Sequence, residues 1–153
     1  MNVSPTLYAE KLRHVSPFIY KAAAQAWIDK EYPRHLFIET TAACNLTCTY
    51  CPREMRGNHI DWGLFTEIVR EASLYGPRSF SLHLFGEPLL YPKCFEAIRY
   101  IKQCHKWNTV ILTTNGTLLN NMAGRLMEVG IDKIIWTWRP EAKFTPETKE
   151  KLR

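Results

Sequence analysis

Four short apolar runs, each separated from the next by an amphipathic stretch, constrain the fold of this chain more than any other feature. They lie at 36–41, 79–84, 109–113 and 133–137. Three have unbroken cores: Leu36-Phe37-Ile38, Val110-Ile111-Leu112 and Ile134-Ile135-Trp136. Unbroken apolar runs of this length predict parallel strands covered on both faces. The stretches between them carry helix punctuation. Asp61 is placed to cap a helix whose Trp62, Phe65, Ile68, Val69 and Ala72 share one face, and Gly76-Pro77 ends it. Pro92 suits the first turn of a second helix, with Phe95, Ile98 and Ile101 inward. A third helix runs from about Thr117, with Leu119, Met122, Leu126 and Met127 as its stripe and the methionines as core filler. This rhythm predicts right-handed βαβ units in one parallel α/β sheet.

A helix from Ser16-Pro17 to near Glu31 precedes the first run, so the chain divides into a helical leader at 1–33 and a core at 34–153. Thr145-Pro146-Glu147 begins another helix, but only six residues follow Glu147. So short a helix leaves an open sheet edge at the fourth strand. The expectation is an N-terminal portion, completed by a missing C-terminal half or by a C-terminal partner.

Composition narrows the function classes. A chain 46% hydrophobic and 12% aromatic is globular, not disordered. No apolar run approaches the roughly 20 residues that span a bilayer. Residues 1–12 lack the basic start and apolar block of a secretory signal, so a cytoplasmic location is expected. The net charge of +5 could suit an acidic partner, but its expected role is solubility. The densest basic stretch, Lys143, Lys149, Lys151 and Arg153, alternates with Glu147 and Glu150 as a solvated helix face does. Nothing there points to nucleic acid.

Three of the five cysteines crowd into Cys44-Asn45-Leu46-Thr47-Cys48-Thr49-Tyr50-Cys51, with spacing C-x3-C-x2-C. The motif starts three residues beyond the first strand, at the carboxyl edge where parallel α/β folds assemble their sites. Crowded thiols without a sign of export point to metal or catalysis rather than cross-links. Soft thiolates on a short loop can hold three corners of an iron–sulfur cube, leaving one iron without a protein ligand. A structural zinc site is the alternative; it needs a fourth ligand, for which His59 or Cys94 is available. Cys94 and Cys104 lie near an apolar helix stripe and read as packing residues. Of five scattered histidines only His83, within the second strand, is placed to face a site.

With Tyr50 before the last cysteine, C-x3-C-x-aromatic-C resembles the signature of the radical S-adenosylmethionine (SAM) superfamily. Phe85-Gly86-Glu87-Pro88, after the second strand, is similar to that family's Gly-Gly-Glu-Pro motif, with Phe85 at the first glycine. Thr114-Asn115-Gly116-Thr117, after the third strand, is similar to a turn many members carry. The resemblance covers about 36–137. It implies a partial parallel (βα) barrel, about four βα units of a (β/α)6 core behind an N-terminal helix. It also implies a [4Fe–4S] cluster on Cys44, Cys48 and Cys51, whose open iron takes the amino and carboxylate groups of SAM.

Further roles follow from the resemblance alone. The Tyr50 main chain would meet the adenine, Gly86 would admit the methionine end, and the main chain of Gly86 and Glu87 would receive the ammonium, with the Glu87 carboxylate nearby. Asn115 and Thr137 are candidates for the ribose or substrate. Where relatives resemble Ser-x-Asp-Gly after the fourth strand, this chain has Thr137-Trp138-Arg139-Pro140, so any contact from that acidic position is lost or made elsewhere. Trp136 and Trp138 are candidates to line a substrate surface, though core packing is the expected role for Trp136. The implied chemistry is reductive cleavage of SAM to a 5′-deoxyadenosyl radical. It calls for a single-electron donor such as flavodoxin or ferredoxin, and for a peptide or small-molecule substrate. Cys51-Pro52-Arg53 and the run from Glu87 to Pro92 resemble the SPASM/twitch branch, which carries auxiliary clusters and modifies peptides. A catalytically silent cluster-binding subunit, dependent on a partner chain, is the rival reading.

Overall fold

The computed structural model describes residues 32–51, 57–137, 139–140 and 142–152. The expected leader helix at 16–31 lies outside the described residues, as do Pro52, Arg53 and Trp138. The unit from His35 to Arg153, taken by itself, is one parallel sheet in the order β1-β2-β3-β4. Its strands are β1 (His35–Phe37), β2 (Ser79–Ser81), β3 (Thr109–Thr114) and β4 (Lys133–Trp136). Leu36 sits beside Phe80, Phe80 beside Val110, and Leu112 beside Ile134. The chain is a partial parallel (βα) barrel, as the sequence implies.

The helices form where their punctuation places them. The Asp61 side chain accepts from the Leu64 N–H at 2.9 Å and opens α1 (Trp62–Ser73). The second helix, α2 (Cys94–Cys104), begins two residues later than Pro92 suggests, because a 3-10 turn (Pro88–Leu90) takes up the chain ahead of it. The third, α3 (Leu119–Glu128), closes in a Schellman motif. There Gly130 adopts φ +87°, its N–H reaches Met127 O, and the Ile131 N–H reaches Leu126 O. Only glycine takes that conformation without strain. The Thr145 hydroxyl caps α4 (Pro146–Lys151) by accepting from the Thr148 N–H at 3.2 Å.

Phe80, Val110 and Leu112 from the sheet, with Phe65, Ile98 and Leu126 from the helices, make a fully buried core. Side chains alternate across a strand, and only this half of them meets the helices. The other half falls on a face that is open among the described residues: Phe37 is 56% and Ile135 39% exposed. The expectation of cover on both faces is therefore corrected, because four strands form the wall of a barrel and not a sheet between two helix layers. Met127 also departs from its expected core role, standing 54% exposed, while Met122 packs against the core. Trp136 is half-exposed and meets Phe144 edge-on, so its ring is not core.

Opposite the carboxyl edge, Asn108 ties the sheet's other end together. Its Oδ1 accepts from the Arg78 N–H at 2.8 Å, and its amide donates to Ser73 Oγ and Ile101 O, both at 2.9 Å. Asn108→Ala strands these groups in a dry site and is expected to cost about 2–3 kcal/mol. A urea melt checks the loss.

Candidate functional site

Beyond β1 the chain stays paired to β2 through Ile38 N–H to Ser81 O, then turns out into the cysteine loop. The loop is pinched at its base. Thr41 and His59 form an antiparallel bridge, flanked by Ala42 N–H to Asn58 O at 2.9 Å and Ile60 N–H to Thr40 O at 3.0 Å. The buried Thr41 hydroxyl accepts from the Ala43 N–H and lies 2.8 Å from His59 Nδ1. The loop thus leaves and re-enters at one fixed point, with Cys44 three residues past the pinch. Within it, the Cys51 N–H turns back to Cys48 O at 3.1 Å.

The segment after β2 braces this base. The Glu87 N–H donates to Ala43 O at 2.7 Å. A Cβ on Gly86 would stand 1.8 Å from Thr41 O and 3.0 Å from Ala43 O. Gly86 is therefore required first by the backbone behind the cysteines, which fills the space a side chain would take. The Glu87 carboxyl is buried, 2% exposed. Its Oε1 accepts from Thr114 Oγ1 at 2.7 Å and from the Leu89 N–H at 3.2 Å, and its Oε2 accepts from the Asn115 N–H at 2.8 Å. Desolvation pushes this carboxyl above its ordinary range, and the hydrogen bonds act against that shift. Glu87 thus laces the end of β3 to the loop after β2.

All eight candidate site residues line one cavity of about 340 Å³ at the carboxyl edge of the sheet: Cys44, Cys48, Cys51, Tyr50, Gly86, Glu87, Asn115 and Thr137. His83, Phe85, Thr113 and Arg139 also line its wall. His83 does face the site. Its Nδ1 accepts from the Thr113 N–H at 3.3 Å, and its Nε2 lies 3.1 Å from Thr113 Oγ1. Burial, then the nearby His35, hold its pKa below the ordinary histidine value. The Arg139 guanidinium lies over the Tyr50 ring, 5.3 Å from its centre, and brings a fixed positive charge to the wall. Thr137 closes it by donating its N–H to Thr114 O at 3.0 Å.

The two fourth ligands available to a zinc site are engaged elsewhere. His59 is hydrogen-bonded at the loop's base, and Cys94 is buried in the core, where burial pushes its thiol up to about 12. Cys104 also packs against the core. Asn45 escaped the sequence reading, although it follows the first cysteine directly. Its amide donates to Thr117 Oγ1 at 2.8 Å, across 72 residues. The signal for it is a polar side chain inside the cysteine motif, with a polar turn after the third strand to receive it.

Three thiols stand at the carboxyl edge of a parallel α/β wall, the edge where such folds assemble their sites. Residues 38–135 match the radical SAM superfamily, and the chain belongs to that superfamily. It is 35% identical over 100 residues to the GTP 3',8-cyclase of Chlorobaculum tepidum, covering 63% of this chain and 30% of that protein. It is 29% identical over 110 residues to the tungsten-containing aldehyde ferredoxin oxidoreductase cofactor-modifying protein of Pyrococcus furiosus, covering 68% of this chain and 30% of that protein. The chain thus spans about a third of the length of these relatives. Among solved structures it is similar to BtrN in complex with AdoMet and 2-DOIA, with TM-score 0.64 and 28% identity, over 77% of this chain and 54% of that one. No helix among the described residues is long and apolar enough to cross a membrane.

The family implies a [4Fe–4S] cluster and SAM, and the donor set fits them. Three half-buried thiols share one cavity wall. N–H groups of Leu46 and the Asn115 side chain point at the Cys44 sulfur, at 3.5 and 3.9 Å, as donors a ligating sulfur would receive.

Proposed function

We propose that this chain is the cluster-binding portion, residues 34–153, of a radical SAM enzyme. Cys44, Cys48 and Cys51 hold the [4Fe–4S] cluster, and SAM occupies the cavity beside them. When bound, the two supply one-electron reductive cleavage of SAM to a 5′-deoxyadenosyl radical that takes a hydrogen atom from substrate. The chain's own residues bind and orient. The three thiolates fix one face of the cavity, and the main chain at Gly86 and Glu87 stands ready to accept the ammonium of SAM. Tyr50 offers its main chain to the adenine, and Thr137 its hydroxyl to the ribose or substrate. Arg139 brings a positive charge to the wall, over the Tyr50 ring, at the place where many relatives resemble Ser-x-Asp-Gly. A single-electron donor such as flavodoxin or ferredoxin supplies the reducing electron, and a peptide or small molecule is the substrate.

One observation carries the reading: three thiols and the loop containing Gly86 and Glu87 border a single cavity, joined at their base by Glu87 N–H to Ala43 O. Anaerobic reconstitution tests it. The expected result is brown protein with about four irons per chain and release of 5′-deoxyadenosine when SAM and dithionite are added. Colourless protein carrying zinc overturns the reading. Iron without SAM cleavage, restored by a C-terminal partner, assigns the chemistry to the assembled pair.

A further inference from the structure

Resting on that reading, we infer that Asn115, Asn45 and Thr117 form a clamp that positions Cys44, the first cluster ligand. The three side chains close a ring in which each donates to the next. Asn115 Nδ2 donates to Asn45 Oδ1 at 2.8 Å, Asn45 Nδ2 to Thr117 Oγ1 at 2.8 Å, and Thr117 Oγ1 to Asn115 Oδ1 at 2.7 Å. Its direction is fixed by one backbone group. The Thr117 N–H, a donor only, points at Asn115 Oδ1 from 3.0 Å, so the oxygen of that amide must face Thr117 and its NH2 must face the cysteine loop. The orientation of Asn45 follows in turn.

The same NH2 group has Cys44 Sγ at 3.9 Å, a long contact of the kind a thiolate strengthens. Both lone pairs of Asn115 Oδ1 and one N–H are thereby engaged within the ring, and the other N–H is directed at the sulfur. The ring is anchored from below. Glu87 Oε2 holds the Asn115 N–H at 2.8 Å, and the residue is 8% exposed. Hydrogen bonds closed in a ring polarise one another, so loss of one weakens the rest. The clamp spans 70 residues of sequence between Asn45 and Asn115, yet joins the tip of β3 to the start of the cysteine loop.

The test uses Asn115→Leu, which keeps the volume and removes every polar atom, with Asn45→Ala and the double variant. In iron-free protein, amide exchange across 44–51 is expected to rise at least about tenfold in Asn115→Leu, while Val110 and Leu112 keep wild-type protection. In reconstituted protein the same variant is expected to lose iron to a chelator about tenfold faster, and its cluster potential should fall as the N–H donor to sulfur is lost. Asn45→Ala should reproduce the faster exchange, and the double variant should add little to either single one. Unchanged exchange overturns the clamp. Faster exchange with wild-type iron loss and potential overturns its assignment to the cluster ligand. Wild-type protein that takes up no iron sinks the function proposed above, while the exchange measurement still decides the clamp.

Discussion

Alanine at Gly86 is expected to destabilise the protein by more than about 4 kcal/mol and to abolish iron uptake in whatever fraction folds. The new Cβ would lie 1.8 Å from Thr41 O and 2.7 Å from Thr41 C. Both are backbone atoms, and that backbone cannot step aside. Thr41 is pinned by its bridge to His59, Ala42 by its bond to Asn58 O, and Ala43 O by the Glu87 N–H. Relief must come from parting the loop after β2 from the base of the cysteine loop, which removes the scaffold of Cys44. Gly124→Ala is the control: its Cβ meets nothing closer than Lys151 Nζ at 3.6 Å, and it lies within α3. There alanine is expected to gain about 0.5–1 kcal/mol from helix propensity. Urea melts of the two variants with iron per chain check the pair, and a Gly86→Ala protein of wild-type stability and iron content would refute the account.

The contrast shows which parts of the site the sequence could reveal. Local rules worked where a feature is satisfied within a few residues: Asp61 before its helix, Thr145-Pro146 before the last one, three cysteines on one loop. The family resemblance, not a local rule, placed Gly86 and Glu87 in the site, and the reasons it gave for both were incomplete. Gly86 was expected to make room for SAM, and the atoms it makes room for in the protein are Thr41 O and Ala43 O, 43 to 45 residues earlier in the chain. Glu87 was expected near the ammonium, and in the fold its carboxylate spans to Thr114 and Asn115. Both depend on strand tips brought together only by the parallel sheet, and no local pattern encodes that. Burial of the strands failed for the same reason. An apolar run such as Leu36-Phe37-Ile38 reads alike whether its second face is covered or lines an open barrel wall, and only register separates Phe37 from Ile38.

The second large effect falls on Glu87, whose replacement by alanine is expected to cost about 3–5 kcal/mol, because the Asn115 and Leu89 N–H groups are left buried without an acceptor. It should also speed iron loss, since the Asn115 N–H is released with it. Glu87→Gln separates charge from shape. A glutamine can offer its single oxygen to Asn115 or to Leu89, and at the other its NH2 opposes an N–H donor. One hydrogen bond is lost either way, for about 1–3 kcal/mol. The pH dependence identifies the carboxyl. Burial raises its pKa above the ordinary 4.5. A carboxyl that holds its proton more tightly in the folded than in the unfolded chain contributes stability that is fully present below the unfolded value. That contribution disappears as pH rises through the raised folded value. The penalty for Glu87→Gln should therefore be largest below pH 4.5 and shrink toward neutral pH, where the wild-type chain carries a buried negative charge and the variant does not. Urea melts of both proteins at several pH values measure the difference. A penalty that grows with pH would mean that the three hydrogen bonds outweigh desolvation and that Glu87 is a carboxylate the fold prefers to keep charged.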